Sequence, residues 1–180
     1  MNNEEKNYMT EIVETYSKQV YSFCVKLCFN YDDAQDLYQT VFLTLSQNIH
    51  KIDRNANILP YIYKICVLQY KNTKRKFARR ARIAPTVYSD DETAPEPVSS
   101  ENIEKNYEKA ELELTVAEIT NNLDDKYRIP VILHYGRDMS LDSIARILHI
   151  PEGTVKSRLF NARKIIKKEL EARGYDGKEY

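Results

Sequence analysis

The sequence contains few of the residues that build catalytic and metal sites. Only four glycines occur in 180 residues, and they form no glycine-rich loop of the kind that holds phosphate. The histidines His50, His134 and His149 are scattered, and no nucleophile is paired with a base. We therefore expect no catalytic residue, no metal, no cofactor and no small-molecule substrate, and we predict that the protein is not an enzyme.

Cysteine is also scarce. An odd number of cysteines, three, without the repeated spacing of a metal site suits a reducing compartment better than a disulfide framework. Cys24 and Cys28 lie one helical turn apart, so a redox or metal role shared with Cys66 is one interpretation. Thiols that fill a helix face are the simpler one, and we assign the three cysteines no chemistry.

Long hydrophobic runs are absent. No apolar stretch approaches the roughly 18 residues that a membrane-spanning helix needs, and residues 1–6 are polar and acidic, unlike a secretory signal. The composition, 42% hydrophobic and 30% charged, is normal for a globular protein of one ordinary domain or two small ones. We expect a cytoplasmic protein that does not span a membrane.

The net charge is zero, but the charges are segregated. Residues 51–82 hold ten basic residues and one acid, residues 88–118 hold ten acids and two lysines, and residues 156–168 hold six basic residues and no acid. A basic block can be no more than a solvated helix face. Both basic blocks also carry aromatic or hydroxyl side chains, however, and this combination is typical of nucleic-acid binding.

Hydrophobic side chains recur at helical spacing and never alternate as in a strand, so we predict an all-α fold. Residues 1–80 form a first domain of three amphipathic helices. Their stripes are Ile12, Tyr16, Val20, Phe23 and Leu27, then Ala34, Leu37, Val41, Leu45 and Ile49, then Leu59, Ile62, Cys66, Tyr70, Thr73 and Phe77. Asp32 or Asp33 is the expected N-cap of the second helix.

Residues 81–107 are predicted to be a flexible acidic linker, because the periodicity is lost and three of the six prolines fall in residues 81–101. A second domain, residues 108–175, follows. We expect Asp124 to cap a helix that Pro130 bends or delays, and Ser140 to cap a short helix. The stripe of the helix that precedes them is Ile103, Tyr107, Ala110, Leu114 and Ala117.

The short helix, the turn at residues 149–153 and a last helix over residues 152–171 predict a helix-turn-helix, whose second helix enters the DNA major groove. With the stripe Val155, Leu159, Ala162 and Ile166 pointing inward, hydroxyl, amide and amine groups lie on the opposite side and suit base edges, while flanking cations suit phosphates. A partner-binding helix with a solvated basic face is the alternative. The opposite side carries Gly153, Ser157, Phe160, Asn161 and Lys164.

The C-terminal domain resembles domain four of the bacterial sigma-70 family, specifically its small two-domain extracytoplasmic-function (ECF) members. The family pattern L-x-x-I-A-x-x-L-x-[IV]-x-x-G-T-V-x-S-R-L-x-x-A-R is matched at Leu141, Ile144, Ala145, Leu148, Ile150, Gly153, Thr154, Val155, Ser157, Arg158, Leu159, Ala162 and Arg163. The helix-turn-helix domains of response regulators share much of this pattern, so the N-terminal half of the chain must distinguish the two families. There the domain-two motif D-A-x-D-L-x-Q-E-x-F is matched at Asp33, Ala34, Asp36, Leu37, Gln39 and Phe42.

The resemblance implies a promoter-specificity subunit of RNA polymerase that recognises minus 10 and minus 35 elements. Its implied partners are the RNA polymerase core enzyme, promoter DNA and an anti-sigma factor, which could hold the protein at the membrane if it is anchored there. The residues implied in core docking are Asp36, Leu37, Gln39, Thr40 and Phe42. Those implied at the minus 35 duplex are Thr154, Lys156, Ser157, Arg158, Phe160, Asn161, Arg163 and Lys164.

The third helix supplies the implied minus 10 surface. Tyrosines interleave with cations there, and rings that stack on unpaired bases beside cations that hold the backbone suit a separated strand. An extruded base would be caught near residues 51–58. Tyrosines at helical spacing can equally be core residues. The residues implied at minus 10 are Tyr61, Tyr63, Lys64, Lys71, Lys74, Arg75, Lys76 and Arg79.

The chain departs from the family pattern at several positions. Thr40 stands where an acid is usual, and Leu68 and Asn72 stand where Asn and Asp are frequent. His149 replaces the usual turn glycine and is expected at positive φ. Asn161 stands where an arginine is frequent, which predicts a different minus 35 preference.

The acidic run of residues 90–118 has two interpretations. By resemblance it threads polymerase channels and imitates a phosphate backbone; otherwise it is a soluble spacer. Two rival functions also stay open at this point: a stand-alone helix-turn-helix regulator and a helical protein-interaction module. Neither requires the docking residues on the second helix.

Overall fold

The computed structural model describes residues 2–28, 30–83 and 105–175. All regular structure in these ranges is helical and no strand occurs in them, so the predicted all-α class is confirmed. The contacts of the chain separate into two compact units, Met1–Pro95 and Glu96–Tyr180. Of the predicted linker, residues 81–107, residues 84–104 lie outside the described residues, whereas residues 81–83 and 105–107 are helical. Ile103 and the side chain of Tyr107, from the stripe predicted for the helix that follows, also lie outside them.

The first unit is a three-helix bundle. It consists of α1 (Asn3–Leu27), α2 (Tyr31–Gln47), a turn of 3-10 helix (Ile49–Lys51) and α3 (Leu59–Ile83), and each of the three α-helices packs on the other two. The first two predicted stripes form its core, with Tyr16 half-buried. The third stripe is half-buried at Leu59 and buried from Ile62 to Tyr70. Beyond Tyr70 the predicted stripe is wrong, because Thr73 and Phe77 are exposed.

The cap of α2 differs from the prediction. Asn30, not Asp32 or Asp33, is the N-cap: its Oδ1 accepts from the Asp33 backbone N–H at 2.7 Å, and its Nδ2 donates to Asp33 Oδ2 at 3.0 Å. Asn30 has extended backbone angles, which an N-cap requires, whereas both aspartates already lie in the first turn. There they interact favourably with the positive end of the helix dipole.

The second unit is built around the last helix. It contains α4 (Lys105–Asn121), α5 (Asp125–Tyr135), α6 (Leu141–Leu148) and α7 (Glu152–Ala172), and α7 contacts the other three. The side chains that meet in its core are Ile119, Leu123, Ile129, Ile132, Leu133, Ile144, Ile147, Leu148, Val155, Leu159 and Ala162.

The stripe predicted for α4 is wrong. Ala110, Leu114 and Ala117 are exposed, Leu114 by 48%, and Ile119 is the buried residue of the helix. Apolar residues occur all round α4, so contact with α5 and α7 selects the buried side. Both oxygens of the Glu118 carboxylate accept from the Arg173 guanidinium at 2.8 Å, and this bond lowers the pKa of Glu118.

The remaining caps agree with the sequence. Asp124 Oδ1 accepts from the Lys126 backbone N–H at 2.9 Å, so α5 starts at Asp125 and the delayed first turn expected from Pro130 is wrong. Pro130 is buried inside α5, where it removes one backbone donor. Ser140 caps α6 by accepting from the Ser143 N–H at 3.2 Å, as predicted.

Candidate nucleic-acid and docking surfaces

A tight turn joins α6 to α7. His149 ends α6 in the left-handed conformation, with φ 54° and ψ 48°, which confirms the expected positive φ. The Ile150 backbone N–H donates to the Ala145 carbonyl at 3.2 Å, a bond typical of a left-handed helix C-terminus. Pro151 then precedes the first residue of α7. Only three residues, 149–151, therefore separate α6 from α7.

The exposed side of α7 is polar and cationic. Val155, Leu159 and Ala162 are buried, as predicted, whereas Ile166, the last residue of the predicted stripe, is only half-buried. Six of the eight residues predicted to bind the minus 35 duplex are exposed, and Thr154 and Arg158 are half-buried at the edges of the face. The exposed six are Lys156, Ser157, Phe160, Asn161, Arg163 and Lys164.

Local contacts order several of these side chains. The Lys164 ammonium lies over the Phe160 ring, 5.4 Å from its centroid, although the ring is 55% exposed. Lys156 Nζ lies 2.8 Å from Glu152 Oε1, and Ser157 Oγ donates to the Thr154 carbonyl at 3.0 Å. The Ser157 oxygen can therefore still accept a bond from a base. Glu152 is an acidic partner of Lys156 that sequence reasoning missed, although the i,i+4 spacing signals it.

The outer face of α2 combines polar groups with one large apolar side chain. Asp36, Gln39 and Thr40 are exposed on it, and Leu43, one turn further on, is 60% exposed, the most of any large hydrophobic residue described. We call these four residues the α2 docking face. Sequence reasoning missed Leu43, although its spacing of seven from Asp36 places both on one side of the helix.

The other two predicted docking residues do not lie on this face. Leu37 is a core residue, 6% exposed, because it belongs to the inward stripe of α2. Phe42 is half-buried against Tyr38, with ring centroids 4.8 Å apart, and Tyr38 in turn meets the edge of Tyr21 on α1. Leu37 stabilises α2 from the core and Phe42 stabilises it through Tyr38, so both help to hold the α2 docking face in place.

The tyrosines of α3 divide between core and surface. Tyr61 is 38% exposed, but Tyr63 is only 2% exposed and packs on Phe23, with ring centroids 4.6 Å apart. The prediction that Tyr63 stacks on a base is therefore wrong for this conformation, because the packed ring offers no face. Tyr70 is buried too, with the Lys74 ammonium 5.5 Å from its ring centroid.

The cations of α3 gather where the helix extends past its partners. Residues 71–83 carry seven basic side chains and no acid. We call them the α3 basic segment. Lys64 and Lys71 are half-buried, whereas Lys74, Arg75, Lys76 and Arg79 are exposed. At about 1.5 Å per residue the segment is about 20 Å long, so cations and the exposed Tyr61 occupy different parts of one helix.

The cysteines are free thiols in the first unit. Cys24 and Cys66 are buried and Cys28 is half-buried. Burial, together with a hydrogen bond to Cys24, raises the pKa of the Cys66 thiol, which keeps it protonated. Among the described residues no group of His, Cys, Asp or Glu side chains is arranged to hold a metal ion, and no helix there has the length and apolar character needed to cross a membrane.

Comparison with known proteins identifies the family to which both units belong. The family model for sigma-70 region 2 matches residues 12–81, and that for sigma-70 region 4 matches residues 113–166. The ECF RNA polymerase sigma factor SigW of Bacillus subtilis is 28% identical over 175 residues, 92% of this chain and 90% of that protein. The RNA polymerase sigma-H factor of Pseudomonas aeruginosa is 25% identical over 171 residues, 93% of this chain and 88% of that protein.

Solved structures share the fold. The sigma factor RpoE of Bartonella quintana, crystallised with the anti-sigma factor NepR, superposes with a TM-score of 0.75 at 20% identity and covers 92% of this chain and 98% of its own. CnrH, solved with the cytosolic domain of CnrY, gives 0.64 at 17% identity, covering 93% and 90%.

The two family models define a regulatory DNA-recognition subunit. One model lies on each unit, and together they match more than half of the chain. The chain belongs to the sigma-70 family, in its ECF group, and is a promoter-recognition subunit of RNA polymerase. The resemblance drawn from the motifs is confirmed, and the stand-alone regulator is not favoured.

Proposed function

We propose that the two units divide promoter recognition between them. Residues 1–80, as sigma domain two, dock on the core enzyme and separate the strands of the minus 10 element. Residues 108–175, as sigma domain four, read the minus 35 duplex, and residues 81–107 link the two. The protein acts in the cytoplasm as a specificity subunit, without catalysis, cofactor, metal or small-molecule substrate of its own.

The observation that carries this proposal is the exposed face of α7. Ser157 and Asn161 offer hydroxyl and amide groups to base edges, and the Phe160 ring suits a thymine methyl. The exposed cations Lys156, Arg163 and Lys164 suit the flanking phosphates. Thr154 and Arg158 are half-buried at the edges of this face, on the same helix, and they contact the DNA at its margins.

The minus 10 role is supported by the two parts of α3. Tyr61 and Lys64 lie in the first two turns of α3, which follow residues 51–58 in the chain. A ring and a cation suit a separated strand, because the ring can stack on an unpaired base. The α3 basic segment supplies the backbone contacts, through Lys71, Lys74, Arg75, Lys76 and Arg79. Tyr63 is excluded from the surface by its packing on Phe23.

The α2 docking face is the proposed contact with the core enzyme. A central apolar side chain framed by polar groups is typical of protein interfaces, in which an anchor residue is buried and the rim stays hydrated. Leu43 supplies the anchor, and Asp36, Gln39 and Thr40 supply the rim. Thr40 in place of the acid usual in the family makes this contact less charged.

An anti-sigma factor is the proposed regulator. RpoE of Bartonella quintana was solved with the anti-sigma factor NepR, and CnrH was solved with the cytosolic domain of CnrY. A protein that covered the α2 docking face or the exposed side of α7 would block the polymerase or the promoter. If that protein is membrane-anchored, it would hold this chain at the membrane until released.

In vitro transcription tests the proposal. Core enzyme with the purified chain, supplied with genomic DNA, is expected to give start sites that core enzyme alone does not. The double variant Lys156→Ala/Asn161→Ala is expected to lower transcription from those sites at least about tenfold while binding core enzyme as before. The base contact of Asn161 contributes about 1 to 3 kcal/mol, and the loss of the Lys156 phosphate contact weakens binding further. Unchanged transcription by the double variant would refute the assignment of α7.

A further inference from the structure

The loop that precedes α3, residues 51–58, is ordered by hydrogen bonds within the loop and to the first turn of α3. The Asn55 backbone N–H donates to Asp53 Oδ1 at 2.9 Å, and the Ala56 N–H donates to the Asp53 carbonyl at 3.2 Å. Asn57 Oδ1 accepts from the Leu59 N–H at 3.1 Å, which joins the loop to the first turn of α3. The loop therefore has a defined internal shape, with exposed polar side chains at its tip.

Arg54 of this loop reaches α1. Its guanidinium lies over the ring of Tyr8 on α1, with the Cζ atom 5.3 Å from the ring centroid. Arg54 Nη1 also lies 3.9 Å from Glu4 Oε2. Tyr8 and Glu4 are four residues apart, so both present to the same side of α1 and meet one cation together.

The beginning of α1 is itself ordered, although it lies at the start of the chain. Asn2 Oδ1 accepts from the Glu5 backbone N–H at 2.8 Å, and the Asn2 backbone N–H donates to Glu5 Oε2 at 2.8 Å. This reciprocal capping box satisfies two backbone donors and stabilises the first turn. Glu4 and Tyr8 therefore sit on a formed helix, not on a frayed end.

We propose that Arg54, held by Tyr8 and Glu4, positions the 51–58 loop so that its tip discriminates the base extruded from the minus 10 element. The proposal rests on the proposed function of the first unit and adds α1 to it as a positioning element. Tyr8 and Glu4 act through Arg54 and the loop and do not themselves contact DNA.

The chemistry of the tip suits base discrimination. The exposed side chain of Asn55 offers a carbonyl acceptor and an amide donor, which can pair with a base edge. Asn57 uses its carbonyl oxygen on Leu59, so it presents its amide donor groups. Discrimination by such bonds depends on donor and acceptor placement, and a loop joined to α1 by Arg54 samples fewer positions than an untethered one.

The test is promoter transcription on paired templates that differ in one base of the minus 10 element. The holoenzyme with Arg54→Gln or Tyr8→Leu is expected to lose about two- to fivefold in the ratio of transcription between preferred and substituted base, the effect of one cation–π contact at an exposed site. Tyr8→Phe and Arg54→Lys, which keep ring and cation, are expected to retain most of the ratio. The matched control is Lys18→Gln, an exposed substitution elsewhere on α1.

The outcomes separate positioning from direct contact. The variant Tyr8→Leu/Arg54→Gln is expected to lose no more discrimination than Arg54→Gln alone, because both substitutions break one contact. If Arg54→Gln weakened transcription equally on all templates while Tyr8→Leu had no effect, Arg54 would be a phosphate contact and the proposal would be overturned. If the wild-type holoenzyme showed no base preference at any minus 10 position, the proposed function of the first unit would fail as well.

Discussion

At the scale of single residues, His149 shows how a rare conformation can be read from a sequence. The turn between α6 and α7 needs a residue at positive φ, and glycine is the residue that adopts it without steric cost. His149 occupies that conformation, at φ 54°, with its side chain exposed. The strain at His149 therefore comes from its Cβ in the left-handed conformation and not from burial of its ring.

Replacing His149 by glycine is expected to stabilise the second unit. The left-handed conformation costs a residue with a Cβ about 1 to 2 kcal/mol, and the greater freedom of glycine in the unfolded chain offsets part of this gain. We expect a net increase of about 0.5 to 1 kcal/mol in the free energy of unfolding, measured by urea denaturation. His149→Val, which keeps a Cβ and adds a branch, is the matched variant and should destabilise.

At the scale of elements, the helices carry function on the sides that their packing leaves open. The inward stripe of α2 turns Leu37 into the core and leaves Leu43 exposed, and the α3 basic segment is exposed at Lys74, Arg75, Lys76 and Arg79. The exposed Leu43 of α2 and the exposed cations of α3 are therefore the side chains available to a partner or to DNA.

Leu43→Ser is expected to weaken binding to core polymerase about tenfold, which corresponds to about 1.4 kcal/mol. An exposed leucine contributes to binding when a partner removes it from water, whereas its loss should hardly change the stability of the free protein. Competition with a labelled wild-type chain for core enzyme measures the effect. Val13→Ser, at an exposed apolar position of α1, serves as the control. Equal affinity for wild type and Leu43→Ser would remove Leu43 from the interface.

Arg75→Ala/Arg79→Ala is expected to reduce the salt dependence of promoter binding by the holoenzyme. Each phosphate contact contributes about 0.9 to the slope of log K against log salt on duplex DNA and about 0.7 on a single strand. The slope should therefore fall by about 1.4 to 1.8 for the two cations. Fluorescence anisotropy at a series of salt concentrations measures it, and a slope like that of wild type would show that these arginines face solvent.

At the scale of the whole molecule, each unit contains its own hydrophobic core. Side chains of α1, α2 and α3 form one, and side chains of α4 to α7 form the other. A core substitution in one unit can therefore be tested for its effect on that unit alone. The two basic blocks of the sequence are also divided between the units. One basic segment lies on α3 of the first unit and the other on α7 of the second.

Leu45→Ala is expected to destabilise the first unit alone. Leu45 is fully buried, and such truncations cost about 2 to 5 kcal/mol. Hydrogen exchange followed by mass spectrometry should show faster exchange in peptides from residues 30–83 and unchanged exchange in peptides from residues 105–175. Faster exchange in both ranges would show that the two cores unfold as one.

The sequence by itself determined the helical class, the two basic blocks, the caps at Asp124 and Ser140 and the positive φ of His149, because these depend on local spacing and local backbone chemistry. It could not determine which side of α4 is buried, that Tyr63 packs on Phe23, or that Leu43 is exposed on α2. Those facts depend on contacts between segments distant in the chain, and a helical pattern shows only which residues share a face. Which of two apolar faces is covered was decided by tertiary packing, since the free energy of burial belongs to the face that finds a partner.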